Sequence, residues 1–172
     1  MSDPAKASTR PALTAARSFA ELAARLADAG VRATASGSAA APGLAGPTIT
    51  GVTHDSRAVR PGDLYAALPG AQAHGATFAT QAATSGAVAV LTDAAGEPHA
   101  RATGLAVLVV DDARCVLGPV ASWIYGEPSA RLRCFGVTGT NGKTTTSYLL
   151  DAALRVAGEH TGLIGTIETR VG

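Results

Sequence analysis

With 172 residues, 14 Lys plus Arg against 13 Asp plus Glu, and a formal net charge of +1, the chain gives no electrostatic argument for binding nucleic acid or an anionic membrane surface. Its length suits one medium domain or two small ones, and 47% hydrophobic content with only 4% aromatic residues implies a core of Ala, Val, Leu and Ile. The longest apolar runs, such as Leu105–Val110, are too short to span a bilayer, and the N-terminus lacks the apolar stretch of a signal peptide.

Cys115 and Cys134 each lie in an apolar segment, far apart, and read as buried free thiols suited to a reducing cytosol. Residues 1–17 are small, polar and weakly basic and are expected to form a disordered leader. Ser18 and Glu21 make a capping-box pattern; Phe19, Leu22 and Leu26 share one helical face, and Gly30 is a natural terminator. Val31–Gly46, rich in Ala, Gly, Ser and Pro, carries little signal. Thr48–Val52 reads as a strand, followed directly by Thr53, His54, Asp55, Ser56 and Arg57, and Arg60–Asp63 reads as a turn.

Leu64–Leu68 is a second strand, Pro69–Gly75 a loop holding Gln72 and His74, and Thr77–Thr84 a helix stopped by Gly86. Ala87–Thr92 is the apolar kind of strand that is covered on both faces. Asp93–Thr103 reads as a connection and Leu105–Val110 as a strand. Val116, Leu117, Val120, Trp123 and Ile124 have helical spacing, with a kink or a start at Pro119. A linker is placed at 126–130, between a domain at 18–125 and a second at 131–172. Strands alternating with helices imply an α/β fold with mainly parallel pairing. The second stretch, about 40 residues, is too short to bury a doubly wound sheet and is expected to be the start of a larger domain.

That second stretch carries the chemistry. Arg133–Val137 is short and β-prone, and Thr138–Thr144 is a glycine-rich turn leading into helical spacing; Thr161–Ile167 reads as the next strand. A strand, turn and helix in this order form a phosphate cradle of backbone N–H groups reinforced by the helix N-terminus. Gly139 and Gly142 let the main chain approach phosphate, Lys143 reaches the β/γ-phosphates, and the Thr144 hydroxyl suits Mg²⁺. The strict phosphate-loop motif needs glycine six residues before the lysine, where this chain has Val137; the GxxGKT core holds. Elsewhere, Asp55 and Arg57 suit a local ion pair or Asx turn, and Thr53 and Ser56 suit bonds to loop backbone. His99 and His160 read as solvated loop residues. No His/Cys spacing points to zinc, and no Ser-His-Asp set is discernible.

TGTNGKTTT at Thr138–Thr146 resembles the ATP loop of the Mur ligases, the cytoplasmic enzymes that build the peptide stem of peptidoglycan. Three more stretches match in order. GVTHDSRAVRPGDLYAAL at Gly51–Leu68 is similar to the family's DSR…PGDLF segment, Ile124–Thr146 to its linker and loop, and HTGLIGTIETRVG at His160–Gly172 to the segment after the loop helix. The set resembles the MurE type, which adds the third stem residue. The MurF type shares a DSR…PGDLF-like segment but tends to a GSSGKT-like loop; Gly139–Thr144 and Gly162–Ile167 favour the MurE type.

The resemblance implies a small N-terminal UDP-substrate-binding α/β domain followed by the start of a P-loop-type ATP-binding central domain. It implies an ATP-dependent ligase adding meso-diaminopimelate to UDP-MurNAc-L-Ala-D-Glu through an acyl-phosphate. The alternatives are a MurF-type or L-lysine-adding ligase, or a non-catalytic nucleotide-binding module. ATP contacts are carried onto Gly139, Thr140, Asn141, Gly142, Lys143, Thr144 and Thr145, with Thr144 also on Mg²⁺. Substrate contacts are carried onto Ser56, the backbone at His54, and Ala71, Gln72 and Ala73, where the family's second loop meets uridine. His54 stands where an aliphatic residue is frequent, and His74-Gly75 where Asp-Gly is common. No catalytic residue falls within the chain, which is expected to be an inactive N-terminal fragment of a monomeric, cytoplasmic enzyme.

Overall fold

The computed structural model describes residues 16–37 and 45–171. The chain divides into two compact units, 1–131 and 132–172. Most of the expected leader, residues 1–15, lies outside the described residues. Its last residue, Arg17, belongs to a short strand, β1 (Arg17–Ser18), antiparallel to β3 (Thr48–Ile49).

In the first unit the chain runs α1 (Phe19–Asp28), β2 (Ala33–Ser36), β4 (Gly51–Thr53), β5 (Asp63–Ala66), α2 (Ala79–Thr84), β6 (Ala89–Thr92), α3 (Glu97–Arg101), β7 (Ala106–Val110) and α4 (Ala113–Ile124). One five-stranded sheet has the order β2-β7-β6-β5-β4. β4 to β7 are parallel and β2 is an antiparallel edge. Alternation along the strands sorts side chains to two faces. Leu64, Ala66, Leu91 and Leu108 face one way, under Phe19, Leu22 and Leu26 of α1 and Val116, Val120 and Ile124 of α4. Tyr65, Val90 and Val107 face the other, where the helical layer contributes Ala76, Ala79, Ala82 and Ala100. The register sets Leu64 beside Ala89 and Ala66 beside Leu91, so large and small side chains alternate across neighbouring strands.

Local chemistry explains the helix starts. Ser18 and Glu21 form the complete capping box predicted for α1, and the Asp112 carboxylate accepts from the Arg114 and Cys115 amides to start α4. Pro119 lies inside α4 rather than opening it. It faces solvent together with Cys115, four residues earlier, so the carbonyl left without a helical donor is on the wet side. Tyr125, which ends α4, hydrogen-bonds through its hydroxyl to the main chain of Val52 at 3.2 and 3.3 Å.

Several expectations change. β2 arises within the stretch that carried little signal, because pairing with β7 outweighs the weak strand preference of Ala-Thr-Ala-Ser. α3 occupies what read as a plain connection. Thr48–Val52 is interrupted at Thr50, and its halves join different sheets. Both cysteines are free but exposed: Cys115 is on the outer side of α4, and Cys134 is in an uncovered segment. Among the described residues no helix is long and apolar enough to cross a membrane.

The second unit consists of α5 (Lys143–Val156) and an antiparallel hairpin of β8 (Gly162–Ile164) and β9 (Thr169–Val171). Arg133–Val137 forms no strand among the described residues, since a strand exists only through its partner and none pairs with it. The buried Asp151 of α5 ties the hairpin down: it accepts from the Thr161 hydroxyl at 2.7 Å and from the Arg170 guanidinium. The Thr161 hydrogen bond first, and then Arg170, hold its carboxyl below the ordinary value of 3.8. The folded state therefore binds this proton less readily, and the pair's stabilisation is complete above that value and lost as pH falls below it. Asp151→Asn is expected to destabilise the hairpin near neutral pH, with parent and variant converging as the solution is acidified below the ordinary value. Amide exchange of β8 and β9 across a pH series measures this.

Candidate functional site

In an open parallel sheet, ligands bind beyond the carboxyl ends of the strands, where the loops diverge. Here that edge is built by residues 54–60 after β4, 67–75 after β5, 93–96 after β6 and 111–112 after β7. β4 and β5 pair in register, with Thr53 beside Tyr65, so the loops carrying Ser56 and Ala71–Ala73 leave the sheet side by side.

The first loop is locally braced. Asp55 accepts from the Arg57 main-chain amide and from its guanidinium at 2.9 and 3.0 Å, and these bonds hold the Asp55 carboxyl below its usual range. The Thr53 hydroxyl bonds the Asp55 main chain. The Asp-Ser-Arg signature is thus in part a turn that closes on itself. Ser56 is buried, and its hydroxyl donates to Gln81 Oε1 on α2 at 3.0 Å. His54 is exposed at the bend. The Pro-Gly-Asp part of the motif also serves the fold. Gly62 has φ +90°, a Cβ there would strike the Thr50 side chain, and the Asp63 carboxylate accepts from the Arg60 amide at 2.8 Å.

Ala71, Gln72 and Ala73 are exposed at the tip of the second loop, which a bridge between Pro69 and His74 closes at its base. Four contacts hold that base. The Gly75 amide donates to Leu68 O at 2.8 Å and the Tyr65 hydroxyl to Gly75 O at 2.9 Å. The Arg114 guanidinium donates to Pro69 O at 2.6 Å, and His74 Nε2 lies 3.0 Å from Asp93 Oδ1. Burial, with the Asp55 carboxylate adding to it, pushes the Tyr65 phenol above its usual value, so it stays a donor at neutral pH. Gln81, Asp93 and Arg114 had no motif to mark them; only the fold, which brings α2, the end of β6 and the start of α4 to this edge, reveals them.

In the second unit, Thr140 and Asn141 are exposed bends, and Gly139 (φ +149°) and Gly142 (φ +77°) adopt backbone angles that favour glycine. Gly142 is the N-cap of α5 and supplies no side-chain oxygen. The first helical bond runs from the Thr146 amide to Gly142 O, leaving the amides of Lys143, Thr144 and Thr145 at the mouth of the turn without a side-chain cap. α1 and α4, by contrast, are capped by Ser18 and Asp112. Lys143 Nζ folds back over the turn to Gly139 O at 2.6 Å, which places the ammonium at the same mouth. Thr144 is half-buried in the first turn of α5 and Thr145 is exposed. This arrangement suits an anion. Among the described residues no three His, Cys, Asp or Glu side chains converge on a metal position.

A largely parallel sheet with its loops at the carboxyl edge, and separately a glycine turn feeding an uncapped helix, define an α/β protein with a turn suited to an anion. Sequence profiles described as "Mur ligase family, catalytic domain" and "Mur ligase middle domain" match residues 48–125 and 137–172. The chain is 64% identical over 124 residues to the UDP-N-acetylmuramoyl-L-alanyl-D-glutamate--2,6-diaminopimelate ligase of Streptomyces avermitilis, covering 72% of this chain and 24% of that one. It is 53% identical over 110 residues to the protein of the same name from Corynebacterium glutamicum, covering 63% and 21%. A solved UDP-N-acetylmuramoylalanyl-D-glutamyl-2,6-diaminopimelate--D-alanyl-D-alanyl ligase from Acinetobacter baumannii aligns with a TM-score of 0.59 at 25% identity, over 87% of this chain and 30% of that one. The chain belongs to the Mur ligase family, and it spans about a quarter of the length of the curated relatives it matches.

Proposed function

We propose that the whole protein is an ATP-dependent ligase that joins meso-diaminopimelate to UDP-MurNAc-L-Ala-D-Glu in peptidoglycan precursor synthesis. The observation that carries this reading is the 64% identity to a ligase of that name, spread over 124 residues. The likeness to the D-alanyl-D-alanyl ligase structure, at 25% identity, supports the MurF-type alternative less strongly. The reading carries with it a cytoplasmic location and a monomeric state. In the reaction, the γ-carboxylate of D-Glu takes a phosphoryl group from ATP, and the amine of the diamino acid then displaces phosphate to form the amide.

The first unit would take the UDP end of the substrate at its carboxyl edge, through Ser56, the main chain at His54, and Ala71, Gln72 and Ala73. Ser56 already donates its proton to Gln81, so it is poised to accept a hydrogen bond rather than give one. A uracil N–H meets that demand better than a phosphate oxygen, which can only accept. The second unit would hold ATP. Uncapped amides and Lys143 at one turn fit its phosphates, and Gly139, Thr140, Asn141, Gly142 and Thr145 complete the loop. A magnesium ion would draw on the Thr144 hydroxyl and on phosphate oxygens, and it would neutralise charge on the transferring group.

Calorimetric titration of the 172-residue chain with UDP-MurNAc-L-Ala-D-Glu tests the first half of the reading. Saturable binding that UDP competes away, and that Ser56→Ala weakens about tenfold, is the expected result. No binding of either compound would refute it.

A further inference from the structure

We propose that His74, held by Asp93, is a positioning residue for the Ala71–Ala73 loop, acting in the single ring tautomer that carries its proton on Nε2. The proposal rests on the reading that this loop meets the UDP end of the substrate.

The loop cannot hold itself. Residues 70–73 are Gly, Ala, Gln and Ala, all exposed, so side-chain burial contributes little to holding it. Its geometry comes from its base. Three of the contacts there, from Tyr65, Leu68 and Arg114, fix the main chain of Pro69 and Gly75. At its start the loop is tied to β6 by the Thr92 hydroxyl, which donates to Ala67 O at 3.2 Å; at its far end the His74 side chain reaches past that strand to Asp93. The same imidazole also starts the following 3₁₀ turn, Gly75–Phe78, since Nδ1 accepts from the Ala76 amide at 3.0 Å.

These two bonds assign the tautomer. Nδ1 can accept from an N–H only without a proton of its own, which leaves the proton on Nε2, where it is donated to Asp93 Oδ1. Asp93 Oδ1 also accepts from the Gly96 amide at 3.0 Å, so the carboxylate is itself fixed. Gly96 passes close to the ring: a Cβ there would run into His74 Cε1 and Thr92 Oγ1. Loop, strand end and helix start therefore meet on one imidazole, whose side chain is only 18% exposed. An aspartate at this place would cap the turn equally well, but it would set a second carboxylate against Asp93.

Asn and Gln separate the two bonds, because Asn Oδ1 stands near the position of imidazole Nδ1 and Gln Nε2 near that of imidazole Nε2. Binding of UDP-MurNAc-L-Ala-D-Glu to the full 172-residue chain is compared for the parent, His74→Asn, His74→Gln, Asp93→Ala and Asp93→Asn. His74→Asn keeps the turn cap and loses the tie to Asp93; it and Asp93→Ala are expected to weaken binding about tenfold. Asp93→Asn, whose Oδ1 still accepts from Nε2–H and from Gly96, is expected to restore most of the affinity that Asp93→Ala loses, and His74→Gln to retain more than His74→Asn. Ring ¹⁵N spectra of the parent are expected to show a bare Nδ1 and a protonated Nε2. Equal affinity across the set, or Asp93→Asn as damaging as Asp93→Ala, would overturn the proposal while leaving the UDP reading intact. A protonated Nδ1 would overturn it as well. Failure of the parent chain to bind the nucleotide would overturn both.

Discussion

Lys143→Ala is expected to lower the affinity of the chain for MgATP by about ten- to a hundredfold, the usual effect of losing a charged hydrogen-bonding partner. Lys143 is the sole charged residue in Thr138–Thr146, so nothing else in the turn offsets a polyphosphate by full charge. Its ammonium already sits over the turn on Gly139 O, and a phosphate oxygen would replace a carbonyl as its acceptor. The change should leave α5 intact, because alanine is the best helix former and the helix start depends on Gly142 rather than on the lysine side chain. Unchanged helix content by circular dichroism with reduced MgATP affinity by calorimetry would support the assignment. Equal affinity in parent and variant would remove the loop from the ATP reading.

Leu64→Ala is expected to cost the first unit about 2–5 kcal/mol, towards the upper end. Leu64 is fully buried on β5, between Val52 of β4 and Ala89 of β6 in register, beneath the α1 and α4 layer. Ala89 is too small to lean into the space, and the neighbouring strand is held by its ladder, so the cavity persists. Urea unfolding followed by Trp123 fluorescence should show a lower midpoint with an unchanged slope. A loss below about 1 kcal/mol would mean that the alanine-rich surroundings collapse instead.

Much of this architecture could be read from residue order alone. Alternating apolar strands and turn residues disclosed β5, β6 and β7 and their parallel pairing, and Ser18 with Glu21 disclosed the start of α1. Gly139 to Thr144 disclosed the glycine turn at the head of α5. What escaped notice did so for physical reasons. Ala-Thr-Ala-Ser becomes β2 only because β7 offers it an edge, and α3 is a five-residue helix with proline in its first turn, below the length at which periodicity can register. Apolar neighbours suggested buried thiols, but Cys115 lies on the solvent side of α4, and Cys134 lies in a segment that no strand covers. At the carboxyl edge of the sheet, the Asp-Ser-Arg signature was visible, whereas the support beneath it was not. Gln81, Asp93 and Arg114 are brought there by the sheet from 19 to 45 residues away from the groups they contact.

The second sheet face acts as a gauge. The buried apolar residues that the helical layer brings to Tyr65, Val90 and Val107 are Ala76, Ala79, Ala82 and Ala100, so single methyl groups fill the space between that layer and the sheet. The turn at Gly75–Phe78 runs straight from the 69–74 loop into α2, so any larger side chain on this face would lift the helix and the loop with it. The abundance of alanine in this part of the chain thus does more than fill space. It lets α2 pack close on the sheet directly after the loop whose exposed tip is Ala71, Gln72 and Ala73, a closeness that a bulkier core would not allow.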